Sequence, residues 1–580
     1  MLAEADRRLD HPALLAVAAR IRHGPLIYDI CNTHDHLVPV TLARVHFELH
    51  LVDAVVVEVA QLERVQRRRA RTRIDLCLYL SKTKRWQADP LSPAQHQLIC
   101  LLVCHVCYVR LQHGLHRSTI ISALNFSGAI YMKPVLLWFR RNLRLADNAA
   151  LLAAAETGHP VIPVYIVDEQ DAGTASRWWL HHSLASLDRD LRELGAPLVL
   201  RAGSPVEMLR ELAEETDAAG LYYATRQEPA SRRQQDELSA ALDSKLQIHG
   251  FGDSLLHDPD SIRTQGGTPF KVFTPFWKTA SNLGEPPRPS ASPETINFYT
   301  KGIDSLALHE LGLLPKSAER DESLRANWVP GESQGLQRID EFAEQVANYK
   351  QQRDRPDIDA TSRLSPYLHF GEVSVRQVWH AIRQIELQRR SAAGGAAFLR
   401  QLYWREFSAY LLRNFPSLPE QPLRAEFEHF PWRDSDARLE AWQRGETGYP
   451  IVDAGMRQLA QTGWMHNRVR MIAASFLVKD LLIPWQTGAE WFLNTLVDAD
   501  LANNSASWQW VAGCGTDAAP YFRVFNPTLQ GDKFDPHGRY IREWIPELRD
   551  GSQKPYPQPI VDHGEARQRA LEAYKEIRGA

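Results

Sequence analysis

One stretch near the carboxyl end of the chain, Asp498 to Trp510, concentrates side chains that could do chemistry. It holds carboxylates at Asp498 and Asp500, then two neighbouring amides, then two tryptophans that flank a glutamine. Carboxylates and amides can hydrogen-bond a ligand, and indole rings stack on planar ligands such as bases and flavins. The alternative is a helix end in a protein core, where the same polar groups act as caps. The stretch alone leaves both interpretations open.

Three further stretches combine similar groups. Thr361–Ser365 is a hydroxyl-rich turn with one arginine, at a predicted helix start where backbone N–H groups suit a phosphate. A plain helix cap is the alternative there. Tyr403–Phe407 places aromatic and charged groups on successive faces of a helix, and Gly463–Met471 adds imidazole, amide and guanidinium groups. Taken alone, His466 is typical of a core histidine and Met471 of ordinary packing.

The elements that must position these residues begin with a regular α/β pattern over residues 132–258. Short apolar runs predict five buried strands: Val135–Phe139, Val161–Val167, Pro197–Leu200, Leu221–Ala224 and Leu246–Phe251. Helical periods separate them, and Gly195 is a helix stop signal. This alternation predicts a Rossmann-like, doubly wound parallel sheet with helices on both faces. No Gly-x-Gly-x-x-Gly follows the first strand, so the ordinary dinucleotide fingerprint is missing.

The remainder predicts a second, all-helical domain. Residues 259–335 are rich in loop-forming residues and predict an interdomain linker, with one distinct motif at Lys271–Trp277. Residues 336–550 carry helical periods, and residues 551–580 predict a frayed, polar tail. The predicted helices are Leu336–Tyr349, Val375–Arg390, Ala396–Asn414, Ala437–Glu446, Pro450–Thr462, Asn467–Leu482 and Ala489–Val497.

Composition limits the classes of function. The 580 residues are 44% hydrophobic and 24% charged with a net charge of -3, so any nucleic-acid site must be a local basic patch. The longest apolar run, 98–109, is too short to span a bilayer. Five of the six cysteines precede residue 132, so the rest lacks a disulfide framework. We therefore expect a soluble, cytoplasmic monomer.

Residues 1–131 do not share these patterns. They carry an arginine run at 67–73 and a cysteine and histidine cluster at 100–107. The cluster lacks a second ligand pair at zinc-finger spacing, so we predict no metal site. We interpret Met132 as the natural start and residues 1–131 as an extension outside the fold.

The four stretches, in this order after an α/β domain, resemble the photolyase/cryptochrome family. The resemblance runs from Met132 to Leu548 and includes the segments 448–456 and 515–523. It implies an antenna chromophore in the α/β domain and FAD in the helical domain. It also implies that light-excited reduced FAD donates an electron to a pyrimidine dimer in DNA, which then splits. The antenna stays open between methenyltetrahydrofolate, a deazaflavin and none, because Ala230 and Ser231 replace the Asn-Glu pair of folate-using relatives.

The resemblance assigns cofactor and DNA roles residue by residue. The residues implied to hold FAD are Tyr349, Thr361, Ser362, Leu364, Ser365, Arg405, Trp464, Asn467, Arg470, Asp498, Asp500 and Asn504. Arg470 and Asp498 are expected to form an ion pair, and Asn504 to favour the anionic reduced flavin. Trp404 and Trp510 are implied to stack on the extruded dimer, with Met471 beside them. Arg353, Arg468 and Arg523 are implied to contact phosphates, and Trp508, Trp485 and Trp432 to pass electrons to the flavin.

Three positions indicate the branch of the family. Asn467 and Met471 stand where (6-4) photolyases carry a histidine pair, and Asn504 stands where plant cryptochromes carry an aspartate. Both favour repair of cyclobutane pyrimidine dimers, with a blue-light receptor as the alternative. Gln401 departs from the glutamate that dimer photolyases usually carry, and it predicts weakened but persisting repair.

Overall fold

The computed structural model describes residues 132–168, 173–242, 246–388, 393–518 and 522–579. The predictions for residues 1–131, including the cysteine and arginine clusters, lie outside the described residues. So does part of the 515–523 segment, at residues 519–521.

A five-stranded parallel sheet forms the amino-terminal half, in the order β3-β2-β1-β4-β5. Its strands are β1 Val135–Phe139, β2 Val161–Val167, β3 Val199–Ala202, β4 Gly220–Ala224 and β5 Gln247–Phe251. Strand β3 begins two residues later than predicted, and Pro197, which has no N–H to donate to a ladder, stays outside it. The predicted fold class is confirmed.

Both faces of the sheet are buried at its centre, in β1, β2 and β4, whereas the edge strand β5 is partly exposed. Alternate residues of β1 enter different cores: Leu137 packs on one side of the sheet and Leu136 on the other. The covering helices are α1 Ala149–Glu156, α2 Thr174–Leu194, α3 Pro205–Thr216 and α4 Pro229–Leu242. Helix α2 ends as predicted, with Gly195 in the left-handed region at φ +117°.

The second half is helical, as predicted. Its helices start with α5 Phe273–Ser281, α6 Ala318–Arg325, α7 Glu332–Gln345, α8 Tyr349–Gln352, α9 Ser365–Phe370, α10 Val375–Gln388 and α11 Ala393–Asn414. They continue with α12 Asp436–Arg444, α13 Pro450–Thr462, α14 Asn467–Ser475, α15 Trp485–Thr495, α16 Leu501–Ala512, α17 Pro527–Phe534, α18 Arg539–Trp544 and α19 His563–Gly579. Within the described residues, none of the helices is long and apolar enough to cross a membrane.

Three segments differ from the predictions. The predicted linker contains α5 and α6, and α5 buries Phe273, Phe276 and Ala280 at helical spacing. The predicted helix Asn467–Leu482 ends as α14 at Ser475, and a π-helical turn continues it to Asp480. The prediction of a frayed tail was wrong, because α19 buries a small-residue stripe. That stripe is Ala566, Ala570, Ala573 and Ile577.

Candidate functional site

Helix α16 organises the candidate site. Asp500 precedes it with extended backbone, and its carboxylate accepts the Asn503 N–H at 2.8 Å as an N-cap. Gly513 ends the helix at φ +97°. The helix therefore has a capped start that carries carboxylates and a sharply turned end that carries tryptophans. The cap interpretation is confirmed for Asp500, and the ligand interpretation stays a prediction.

Arg470 and Asp498 form the expected ion pair just before α16. The guanidinium reaches both carboxylate oxygens at 3.1 and 2.9 Å and also donates to the Met465 carbonyl at 2.7 Å. Both contacts come from the same nitrogen, Nη2, and the Asp498 side chain is 4% exposed, so the ion pair compensates a carboxylate that has little access to water. This pair fixes α14 to the start of α16.

Asp500 belongs to a charged chain that links the two halves. His369 Nδ1 lies 3.7 Å from its carboxylate, and His369 Nε2 contacts Arg141, which follows strand β1. Burial would raise the pKa of Asp500, but the neighbouring His369 and the charge of Arg405 outweigh it and hold that pKa well below its usual range. Burial and Arg141 lower the pKa of His369 to about 4, so its ring is neutral near pH 7. The sequence analysis missed both His369 and Arg141.

Asn504 lies on the first turn of α16 and is partly exposed. Its amide nitrogen donates to the Ala489 carbonyl of α15 at 2.9 Å. That bond fixes the orientation of the side chain and leaves the amide oxygen as an acceptor for a ligand.

The hydroxyl-rich turn lies beside Trp464. Arg338 donates to the Ser362 and Thr361 carbonyls at 2.8 and 3.2 Å, which fixes the turn. Arg363 adopts φ +50°, and its guanidinium carbon lies 5.1 Å from the Trp464 ring centre. Arg363 Nε forms no hydrogen bond but lies 3.3 Å from the Asp359 carboxylate, in an ion pair. A guanidinium beside hydroxyls suits an anionic, phosphate-bearing cofactor, and Asp359 would compete with a phosphate for it.

The remaining predicted cofactor residues lie in different surroundings. Tyr349 is buried against Phe342 and Phe398, whereas Ser365 is exposed at the start of α9. Leu364 is buried, and its N–H donates to Ser362 at 3.3 Å. Arg405 donates to the Ser254 carbonyl of the α/β half at 2.7 Å. The charge of Arg405 thus acts on Asp500 and on the junction of the two halves.

Trp404 and Trp510 are both partly exposed, on helices α11 and α16 that pack against each other. Trp404 stacks on Phe273 of α5 with ring centres 3.7 Å apart and planes within 6°. Arg400, one turn earlier on α11, lies over Phe273 and Trp277. Phe273 and Trp277 belong to the motif Lys271–Trp277 of the predicted linker, but their contact with Trp404 and Arg400 is not predicted from the sequence.

Trp510 lines a hollow with Arg523, Lys479 and Asp517. Lys479 is buried and donates to the Ala512 carbonyl at 2.6 Å, at the carboxyl-terminal end of α16. Burial lowers the pKa of Lys479 well below its usual value. The structure thus places the predicted phosphate contact Arg523 beside the predicted stacking residue.

Arg353 and Arg468 lie near one carboxylate. Asp354 is 2.9 Å from the Arg468 guanidinium and 3.8 Å from that of Arg353. The predicted basic patch therefore contains an acidic group that would compete with a phosphate. Asn467 and Met471, one turn apart on α14, are in contact at 3.8 Å.

The three tryptophans of the predicted electron path belong to one core region. Trp508 and Trp485 are 2% and 1% exposed, and Trp432 packs against this core and against Phe430 at 4.4 Å between ring centres. Trp508 meets Phe492 and Trp442 edge-on. A Cβ on Gly488 of α15 would lie 2.2 Å from its ring, so only glycine fits there. Their role as an electron path stays a prediction.

Gln401 lies on α11 one turn before Arg405 and is partly exposed. Its amide nitrogen donates to the Ala397 carbonyl of its own helix at 3.1 Å. One of its two N–H groups is therefore already used within the helix.

A parallel α/β half joined to a helical half is an architecture that this chain shares with solved photolyase and cryptochrome structures. The chain belongs to the photolyase/cryptochrome family: residues 135–294 match the DNA photolyase domain and residues 398–555 the FAD binding domain of DNA photolyase. It is 45% identical over 472 residues to the deoxyribodipyrimidine photo-lyase of Agrobacterium fabrum, covering 77% of this chain and 98% of the relative.

A solved photolyase structure and a cryptochrome are also similar to this chain. A bacterial class III photolyase structure from Agrobacterium tumefaciens superimposes with a TM-score of 0.75 at 43% identity, over 78% of this chain and 99% of that chain. Cryptochrome-1 of Arabidopsis thaliana is 35% identical over 483 residues, covering 76% of this chain and 70% of the relative. The family contains light-driven lyases as well as cryptochromes, so the activity has to be argued from the site.

Proposed function

We propose that this protein is a deoxyribodipyrimidine photolyase, a carbon–carbon lyase that uses blue light to repair cyclobutane pyrimidine dimers in DNA. The proposal rests on a difference in solvent exposure among three neighbouring tryptophans. Trp508 is buried, whereas Trp510, two residues later, and Trp404 on the neighbouring helix are partly exposed. Two open indole rings can replace the stacking that an extruded dimer loses, at about 1–3 kcal/mol for each base.

FAD is the cofactor that the helical half would hold. The turn Thr361–Ser365 with Arg363 would bind its phosphates, and Arg470, Asp498 and Asp500 would surround its ring systems. When bound and reduced, FAD supplies the light-excited electron donor. The neutral Asn504 amide, held by Ala489, would present an oxygen to the flavin without adding a negative charge. That arrangement favours the reduced anion over a site with an aspartate at this position.

The proposed DNA surface includes the two partly exposed tryptophans. Arg523 lies in the same hollow as Trp510, and Arg468 and Arg353 lie beside Asp354. Phosphate contacts of this kind position the duplex without reading sequence. Asn467 and Met471 offer an amide and an apolar thioether to the dimer, in place of the histidine pair typical of (6-4) repair.

A cryptochrome-type blue-light receptor is the second candidate, and Gln401 favours it. This side chain directs an N–H into its own helix and cannot transfer a proton, so it supports the reaction less than a glutamate would. A receptor would bind FAD and respond to light without splitting the dimer.

One experiment separates the two candidates. Purified protein with bound, reduced FAD is mixed with an oligonucleotide that carries one thymine dimer, and is illuminated with blue light. We expect recovery of intact thymines in proportion to light dose, followed by chromatography, and no recovery in the dark. FAD binding and photoreduction without recovery would favour the receptor. The double variant with alanine at Trp404 and Trp510 is the control, and it should retain FAD while losing preference for the dimer.

A further inference from the structure

The motif Lys271–Trp277 builds one wall of the proposed lesion pocket. It forms the start of α5, and Phe273 is 1% exposed beneath Trp404. The parallel stack at 3.7 Å occupies one face of the Trp404 indole. The other face is the one that a pyrimidine could use, so the position of Phe273 sets the position of that surface.

Helix α5 has no cap of its own. The first N–H groups of a helix need acceptors from outside the helix, and the N-cap residue is Val272, which has no polar side chain. The Phe273 N–H donates instead to the Asp517 carboxylate at 2.8 Å, from a residue 244 positions later in the chain. A carboxylate at this helix start is also favoured by the helix dipole.

Asp517 follows the end of α16 by a short segment whose first three residues are bonded to the helix. The Gln509 carbonyl accepts the N–H groups of Gly513, Cys514 and Gly515, which fixes the chain as it leaves the helix. Asp517 then adopts φ +53°, a left-handed conformation that is uncommon for residues other than glycine. It lines the same hollow as Trp510. A residue kept in an unfavoured conformation points to a role for its side chain.

We propose that Asp517 is a positioning residue that sets the spacing between Trp404 and Trp510. It anchors Phe273, and through it Trp404, to the end of the helix that carries Trp510. The proposal rests on the proposed function, because the spacing matters only if both rings stack on an extruded lesion.

Two substitutions separate the side chain from the backbone turn. Asp517→Asn keeps an oxygen acceptor and tolerates the left-handed conformation. Asp517→Gly relieves the backbone strain but removes the acceptor. Asp217 provides a matched control, because it also has φ +53° but lies in the α/β half at the end of α3. Asp217→Gly therefore tests the effect of relieving the same strain elsewhere.

The readout is the dissociation constant of the full-length, FAD-loaded protein for an oligonucleotide with one thymine dimer, next to the undamaged oligonucleotide. Asp517→Gly should weaken dimer binding about tenfold and leave undamaged DNA, FAD content and the photoreduction rate unchanged. Asp517→Asn and Asp217→Gly should stay within about twofold of the parent. In a Trp404→Ala background, Asp517→Gly should add less than a twofold loss, because its effect acts through that ring.

Other outcomes would overturn the proposal. These are parent-like dimer binding by Asp517→Gly, an equal loss in Asp517→Asn, a loss that adds fully to that of Trp404→Ala, or a parallel loss of FAD. A parent protein that binds dimer and undamaged DNA equally would instead contradict the proposed function itself, so the two failures are distinguishable.

Discussion

The two walls of the proposed lesion pocket are built in different ways. The wall that carries Trp510 is one helix, α16, whose capped start, buried Trp508 and glycine end lie within the stretch 500–513. The wall that carries Trp404 is composite. Trp404 lies on α11, its backing ring on α5, and the carboxylate that holds α5 follows α16.

The two walls also differ in the contacts that hold each tryptophan ring in place. Gln509 holds the α16 wall, since its buried side chain bonds the carbonyls of Leu418 and Gln421 and the N–H of Leu423. All of its polar atoms are satisfied, so this wall is tied to a packed core. The α11 wall instead depends on a stacked pair and on one hydrogen bond at a helix start. We therefore expect substitutions that alter packing to destabilise the α16 wall, and substitutions that remove a polar or charged group to destabilise the α11 wall.

The largest expected effect concerns Glu406, next to Arg405 on α11. Burial raises the pKa of this carboxyl from 4.5 to about 7, although Arg405 and the N–H of Leu256 oppose the shift. The folded protein then holds a proton that the unfolded chain releases between pH 4.5 and 7. The free energy of unfolding should therefore fall as the pH rises through this window, by about 3 kcal/mol.

Urea unfolding at pH 5 and pH 8 checks this prediction. Glu406→Gln should reduce the difference between the two pH values, while Glu341→Gln, at an exposed position, should leave it as in the parent. If the free energy of unfolding of Glu406→Gln depended on pH as in the parent, a buried polar group would not distinguish the α11 wall from the α16 wall.

The next effect concerns the rings themselves. Trp404→Ala and Trp510→Ala should each weaken binding of dimer-containing DNA by about 2 kcal/mol, because each removes a stacking surface. Only Trp404→Ala should also expose Phe273 and lower the melting temperature, since that ring is 1% exposed in the parent. Binding titrations and thermal unfolding of both variants measure this. If Trp404→Ala and Trp510→Ala lowered the melting temperature equally, the two tryptophans would contribute equally to the stability of the fold.

Packing behind the α16 wall can be tested at Gly488. A methyl group there would lie 2.2 Å from the Trp508 ring, so Gly488→Ala should cost about 2 kcal/mol and slow photoreduction of FAD. Gly531→Ala on α17 is the control, because its added Cβ would meet neighbours only at 3.6 Å or more. If Gly488→Ala were as stable as the parent in urea unfolding, the core behind Trp508 would be looser than the structure indicates.

The same contrast explains what the sequence could predict. The strands of the sheet follow from local patterns, such as the apolar run Val135–Phe139. Helix α16 is not among the predicted helices, although the carboxylate of Asp500 before Leu501 is a local N-cap signal. The tail helix α19 also had a local signal, alanines at helical spacing, which its polar composition concealed. His369 had no local signal, and Phe273 belongs to a motif whose role the sequence does not assign, because each gains its role from a residue more than a hundred positions away. A hydrogen bond such as Phe273 to Asp517 depends on tertiary geometry that no local pattern encodes.

The smallest expected effect concerns the side-chain chemistry of Gln401 on the α11 wall and not the stability of that wall. Gln401 is partly exposed and bonds its own helix at Ala397, so Gln401→Glu should leave the stability and the FAD content unchanged. A glutamate can donate to or accept from a pyrimidine carbonyl according to its protonation, and it can stabilise developing charge. We therefore expect a modestly higher quantum yield of dimer splitting, measured on the same oligonucleotide at equal light dose. Gln401→Ala is the matched control and should lower the yield. No gain in Gln401→Glu would mean that the amide at this position does not limit repair, and that the spacing of the two rings matters more than the chemistry between them.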